Sequence, residues 1–241
     1  MGEFKGILID SGRVLNDPVT GSWSYSPNFF DIVGKDNFNK IPKGKRQLAY
    51  RKAWAYINSI NVVSNIEEEW RYFSQFFRIL SVELPELDIN AEKQKLLTDD
   101  MVLNFDKYTF FDDVAEIIPR LSEKFKLAVV SDAWPSLREV YKKADLLKYF
   151  NSMIISSELG VTKPSEEMYR TAIKDLGVNE KDIVFVDDSV KNCDGANTIG
   201  IESIVLNRDI KTRMYNKIIV RTKYKVVKDL RELEQLLENR P

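Results

Sequence analysis

The chain has 241 residues, 44% hydrophobic and 30% charged, with a formal net charge of −1. That balance fits one large soluble domain or a core with an insert, and it gives no electrostatic basis for binding DNA, RNA or an anionic membrane. Histidine is absent, which excludes the commonest general base, histidine metal ligation and any imidazole-based triad. Acid–base work therefore falls mainly to carboxylates, lysine or tyrosine.

The chain opens on an apolar run, Phe4–Ile9, that reads as a buried strand and delivers Asp10 straight into a glycine turn, GILIDSGRVLND. From Asn16 to Asn104 almost nothing looks like a buried strand. Helical spacing predicts helices over Lys45–Ile60, Glu67–Leu80 and Asn90–Leu103, with Leu84–Leu87 interrupted by Pro85. The aromatics Trp54, Tyr56, Trp70, Tyr72, Phe73, Phe76 and Phe77 read as the core of a helical bundle. After that interval, short apolar runs alternate with helical patterns. A helix over Val114–Lys124 precedes a strand over Leu127–Val130. Pro135 suits the first turn of a helix over Pro135–Leu147, and a strand over Met153–Ile155 follows. A helix over Ser165–Leu176, capped by Ser165 and stopped by Gly177, leads to a strand over Ile183–Val186. The helix Asn192–Ile199, the strand Ser203–Leu206 and a last strand and helix within Tyr224–Glu238 complete the pattern.

Strands alternating with helices predict an α/β fold, a doubly wound parallel sheet covered on both faces. The expected core is 1–15 with 105–241, split after its first strand by a helical insert over 16–104. Hinges are expected near Asn16–Asp17 and Asn104–Asp106. The single Cys193 cannot close an internal disulfide, and no apolar run reaches the ~20 residues of a membrane span. With no signal-peptide pattern at the N-terminus, the expectation is a cytoplasmic protein.

In an open parallel sheet, ligands bind beyond the carboxyl ends of the strands. The first strand ends at Asp10, the second at Ser131-Asp132 and the fourth at Asp187-Asp188, while Lys163-Pro164 sits in a loop before a helix. Each has an ordinary alternative: an aspartate at a strand end often closes a turn or caps a helix, and a lone loop lysine is usually solvated. Their order carries the argument. Converging carboxylates call for a cation, and hard oxygen ligands with phosphate select Mg²⁺. Lys163 supplies a point charge for phosphate, the Ser131 hydroxyl and loop amides complete a cradle, and Asp10 is a candidate carboxylate nucleophile.

That order resembles the haloacid dehalogenase-like hydrolase superfamily, which is mostly magnesium-dependent phosphatases. The first motif matches Asp10-Ser11-Gly12-Arg13-Val14-Leu15, the second Ser131, the third Lys163-Pro164 and the fourth Asp187-Asp188. The run DDSVKNCDGANTIG, with Asn192, Gly195, Ala196 and Gly200, looks like the family's entry into the next helix. The motifs cover roughly 1–15 and 105–241, and the insert has the length and helical character of that family's cap domain.

The resemblance implies that Asp10 attacks phosphorus to form an aspartyl-phosphate, with Ser131 and Lys163 holding phosphoryl oxygens. It implies Mg²⁺ held by Asp10, the Gly12 carbonyl and Asp188, with Asp187 ligating or supporting. Backbone amides near Ser11, Gly12 and Asp132 would stabilise the equatorial oxygens. Gly12 departs from the pattern, since phosphatases of the family carry a second aspartate there as general acid and base. Arg13 replaces the family's usual glycine and reads either as an extra phosphate or carboxylate clamp or as an outward surface arginine. Asp17 is close enough in sequence to approach the site, but reads first as part of the hinge.

The expected function is Mg²⁺-dependent hydrolysis of a small phosphorylated metabolite with a good leaving group. The alternatives are a binding module without turnover, which Gly12 supports, and a carbon–halogen hydrolase, which the paired acids oppose. The insert start, Asn16–Phe30 with Trp23 and Tyr25, is the expected specificity segment.

Overall fold

A computed structural model describes residues 4–239, and it resolves the chain into two compact units. One comprises the segment ending at Asp17, then Phe110–Ala133, then the chain from Tyr141 onward. The other comprises Pro18–Thr109 and Trp134–Val140. The sequence boundaries after residues 15 and 104 thus fall slightly early, and the stretch 134–140 groups with the insert instead of the core.

The strands are β1 (Gly6–Ile9), β2 (Asn16–Pro18), β3 (Tyr108–Phe110), β4 (Lys126–Ser131), β5 (Ser152–Ile155), β6 (Ile183–Asp187), β7 (Glu202–Leu206) and β8 (Lys225–Val227). Six of them form one sheet in the order β5-β4-β1-β6-β7-β8, with every neighbouring pair parallel. β2 and β3 pair separately. All four residues of β1 are buried, as a strand covered on both faces requires. Leu8, Ala128, Val130 and Phe185 share a core with Met168 and Tyr169 from the helix Glu166–Leu176.

That helix ends where expected, at Gly177 with φ 60°, but Ser165 makes no capping bond with its side chain. The helix expected over Pro135–Leu147 is shorter, Leu137–Lys143. Asp145 takes a left-handed conformation, φ 58°, which ends the helical run.

Gly195, in the helix Val190–Thr198, lies against the Lys163-Pro164 loop. A Cβ there would come within 2.4 Å of the Pro164 Cβ and 2.8 Å of its carbonyl oxygen. Gly195→Ala is expected to cost roughly 1–3 kcal/mol through overpacking. A urea titration would read this loss, and an unchanged midpoint would count against the close approach.

The insert unit is helical, as expected: Lys43–Ile57, Ile66–Glu83 and Ala91–Val102 are its long helices. Asn65 and Asn90 cap the last two through side-chain oxygens that accept from Glu68 and Lys93 amides. Phe73, Phe76 and Phe77 are fully buried in its core, with Trp54, Tyr56, Trp70 and Tyr72 packed around them. The short helices Phe29–Val33 and Lys35–Lys40 escaped the sequence reading. Tyr25 packs against Phe29, Phe30, Phe38 and Tyr50, whereas Trp23 stays partly exposed beside Tyr108.

A buried polar cluster ties 134–140 into this unit. Glu69 accepts from the Ser136 hydroxyl at 2.6 Å and its amide at 2.8 Å, while Lys107 Nζ donates to Ser136 Oγ at 2.7 Å. Lys107→Met would strand the Glu69 carboxylate and is expected to cost about 2–3 kcal/mol. Adding Glu69→Gln should recover most of that, because the buried charge is gone, the glutamine oxygen still accepts from the Ser136 amide, and its NH2 donates to the Ser136 hydroxyl that Lys107 no longer reaches. Chemical denaturation of the single and double variants measures both. Among the described residues, no helix is long and apolar enough to cross a membrane.

Candidate active site

β1 lies between β4 and β6, so three neighbouring strands end side by side. Asp10 follows β1 directly and continues its ladder, its amide donating to the Val186 carbonyl at 2.9 Å. Ser131 closes β4 and is buried; Asp187 closes β6 and is fully buried. The parallel register therefore gathers residues that are far apart in sequence.

Lys163 joins them. Its ammonium donates to Asp10 Oδ1 at 2.5 Å and Asp187 Oδ2 at 2.8 Å. Its backbone amide donates to Asp132 Oδ1 at 2.9 Å, so Asp132 fixes the loop that presents the lysine. Asp187 also accepts from the Ser189 amide at 2.7 Å and from Asn192 Nδ2 at 3.2 and 3.1 Å. With its oxygens so engaged, Asp187 fits a supporting role better than direct ligation. Asn192 was part of the recognised run, but its bond to Asp187 was not foreseen. Its place early in the helix after the two acids is the signal that could have pointed to it.

Oxygens of Asp10, Asp187 and Asp188 lie within 4.8 Å of one another. Burial, with Asp187 adding to it against the opposing Lys163 charge, pushes the Asp10 carboxyl up to about 8. Burial and Asp187 push Asp188 up to about 6, with Arg13 and Lys163 opposing. For Lys163, burial works against the charge, but Asp10 and Asp187 outweigh it and hold the lysine protonated. Three carboxylates around one buried ammonium leave surplus negative charge. Hard oxygen donors in that surplus fit Mg²⁺, with Asp10, the Gly12 carbonyl and Asp188 as candidate ligands.

The turn after β1 is tight. The Leu15 amide donates to the Ser11 carbonyl at 2.8 Å and the Arg13 amide to the Asn16 carbonyl at 2.6 Å. Arg13 has φ 61°, a left-handed conformation that costs a non-glycine residue roughly 1–2 kcal/mol. Its guanidinium reaches Asp188 Oδ2 at 3.6 Å.

Beneath the turn, the Ser11 and Tyr141 hydroxyls are 2.8 Å apart, and Asn16 Nδ2 donates to Ser11 Oγ at 2.7 Å. Ser11 thus spends its side chain on the scaffold, leaving its amide as the expected binding group. Asn207 Nδ2 donates to the Asp188 carbonyl at 3.0 Å. Arg208 holds the Val14 carbonyl and the Asp113 carboxylate. Neither Tyr141 nor Arg208 was expected, because nothing local in the sequence marks such long-range bonds.

A haloacid dehalogenase-like hydrolase model matches residues 72–206. The chain is 26% identical over 121 residues to (S)-2-haloacid dehalogenase 4A of Burkholderia cepacia, covering 49% of this chain and 52% of that protein. It is 30% identical over 108 residues to the glyceraldehyde 3-phosphate phosphatase of Methanopyrus kandleri, covering 42% and 46%. The chain thus spans about half the length of these curated relatives. The crystal structure of a 2-haloacid dehalogenase from Pseudomonas syringae superposes with a TM-score of 0.66 at 15% identity, covering 98% of each chain.

Proposed function

The chain belongs to the haloacid dehalogenase-like hydrolase family, and from that premise we propose that it is a phosphatase-type hydrolase acting on a small phosphorylated metabolite with a good leaving group. The observation that carries this reading is the buried Lys163 ammonium between Asp10 and Asp187, beside Asp188. It supports reading Asp10 as the nucleophile, Lys163 as the phosphate-binding cation and Asp188 as a metal-binding carboxylate.

In this reading an Asp10 oxygen forms the new bond to phosphorus as the bond to the leaving oxygen breaks, and the leaving group departs with that electron pair. Water then cleaves the aspartyl-phosphate and releases phosphate. Lys163 holds phosphoryl oxygens in line and balances their charge, while amides near Ser11, Gly12 and Asp132 and the Ser131 hydroxyl receive the others. Asp187, tied by Asn192 and Ser189, keeps Lys163 in place. Mg²⁺ bound by Asp10, the Gly12 carbonyl and Asp188 would supply the positive charge that keeps Asp10 ionised and neutralises the phosphoryl group. Gly12 offers no side chain to protonate the departing oxygen, so acyl and aryl phosphates fit better than alkyl phosphates.

Carbon–halogen hydrolysis is the second reading, favoured by the same Gly12, since a departing halide needs no proton, and by the similarity to a haloacid dehalogenase. The acid pair at 187–188 favours the phosphatase, because a halide site has little use for a divalent cation.

The test is phosphate release from acetyl phosphate and p-nitrophenyl phosphate, beside chloride release from 2-chloropropionate, with and without a chelator and with Asp10→Asn as the blank. Phosphate release that the chelator stops is expected. Chloride release that survives the chelator would overturn the phosphatase reading.

A further inference from the structure

Arg13 is the one residue of the nucleophile turn held in a left-handed conformation, and the strain buys a specific placement. Its guanidinium sits 3.6 Å from Asp188 Oδ2, although the side chain is 66% exposed. An exposed pair with a single contact beyond hydrogen-bond length is weak. It is nevertheless the cation nearest the carboxylate that Lys163 does not reach, and it covers part of the charge surplus of the acidic cluster.

Asp188 also lines a cavity of about 280 Å³, shared with Arg13, Asp17, Phe111, Asn207 and Arg208. Arg208 is committed to Val14 and Asp113. Asp17 has no ion pair of its own among the described residues. It does feel the Arg13 charge, which lowers its proton affinity against the burial that raises it. Asp209 lines the cavity too, but it accepts from the Thr212 amide and hydroxyl. That leaves Arg13 two further carboxylates: Asp188, a candidate metal ligand, and Asp17, without an ion-pair partner among the described residues.

We propose that Arg13 is the resident counter-cation of this site: a divalent metal displaces it from Asp188, Asp17 receives it across the cavity, and the exchange sets the affinity for the metal. This rests on the metal reading above and extends it to a residue that contacts no metal. A guanidinium and a divalent ion cannot share the same carboxylate oxygen without strong like-charge repulsion. Metal binding at Asp188 therefore works against the pair, and removing the arginine removes both the pair and the repulsion.

The test is calorimetric titration of Mg²⁺ alone into the wild-type chain, Arg13→Gly and Asp17→Asn. Arg13→Gly relieves the left-handed strain, so its fold is not at risk. It is expected to bind Mg²⁺ roughly three- to tenfold more tightly than wild type. Asp17→Asn, which deprives the displaced guanidinium of its second partner, is expected to bind up to about threefold more weakly. Equal or weaker binding by Arg13→Gly would overturn the proposal while leaving the metal reading intact. No saturable Mg²⁺ binding by wild type or Arg13→Gly would overturn both.

Discussion

Lys163→Met should destabilise the protein by about 3–5 kcal/mol at neutral pH, the cost of removing one partner from a buried ion pair, and should abolish turnover. The lysine side chain is only 2% exposed and bridges Asp10 and Asp187, so no water replaces it. Methionine fills much of the volume, which confines the loss to charge. The pH dependence has a definite sign. The Asp10 carboxyl titrates near 8 in the folded chain against 3.8 as its ordinary value. Between those values the folded state holds a proton that the unfolded state has released, so stability falls as pH rises. Lys163 opposes the upward shift; without it the fall extends above pH 8, and the deficit relative to wild type widens there. Denaturant titrations of both proteins near pH 6 and pH 9 measure this. Adding Asp187→Asn to the variant should restore part of the loss, because the carboxylate charge that Lys163 had balanced there is gone. A variant as stable as wild type would mean that the three carboxylates do not depend on the ammonium.

The strands could be read because a parallel sheet covered on both faces demands unbroken apolar runs, and ILI, LAVV and IVFV supply them. What ends those runs could be read for the same reason: a polar residue at the end of a buried strand stands at the ligand edge. The aromatic helices of the insert were legible through spacing alone. What escaped depends on contacts between distant residues. The stretch from Pro135 reads as the start of a helix of the core, yet Glu69 claims Ser136 from 67 positions away. Tyr141 looks like an ordinary core residue, but its hydroxyl meets Ser11 under the nucleophile turn. The helices on either side of Gly34 are too short to show a period. Arg13 was legible as a charge near the site, but its direction toward Asp188 depends on a left-handed backbone that the sequence does not announce. Asp17, read as hinge, lines the cavity beside it.

Gly12→Asp is the sharpest probe of the chemistry. General acid–base catalysis is typically worth ~10²- to 10⁴-fold, or roughly 3–5 kcal/mol of barrier. An aspartate at this position would stand two residues after the nucleophile, able to protonate a departing alkoxide and then to activate the water. Gly12 does not occupy a left-handed conformation, so the new side chain meets no backbone penalty there, and the carbonyl expected to face the metal is kept. The gain should therefore depend on the leaving group. Hydrolysis of alkyl phosphates, such as sugar phosphates, should rise by about 10²- to 10⁴-fold, while acetyl phosphate, whose leaving group needs little protonation, should change by less than about tenfold. A uniform change across both classes would show that residue 12 acts through positioning and not through proton transfer. A wild type silent on every phosphate, with activity appearing only in the variant, would identify a site that binds phosphate without turning it over. The slope of rate against leaving-group basicity, compared between glycine and aspartate at this one position, thus separates an enzyme adapted to good leaving groups from a binding module built on the same scaffold.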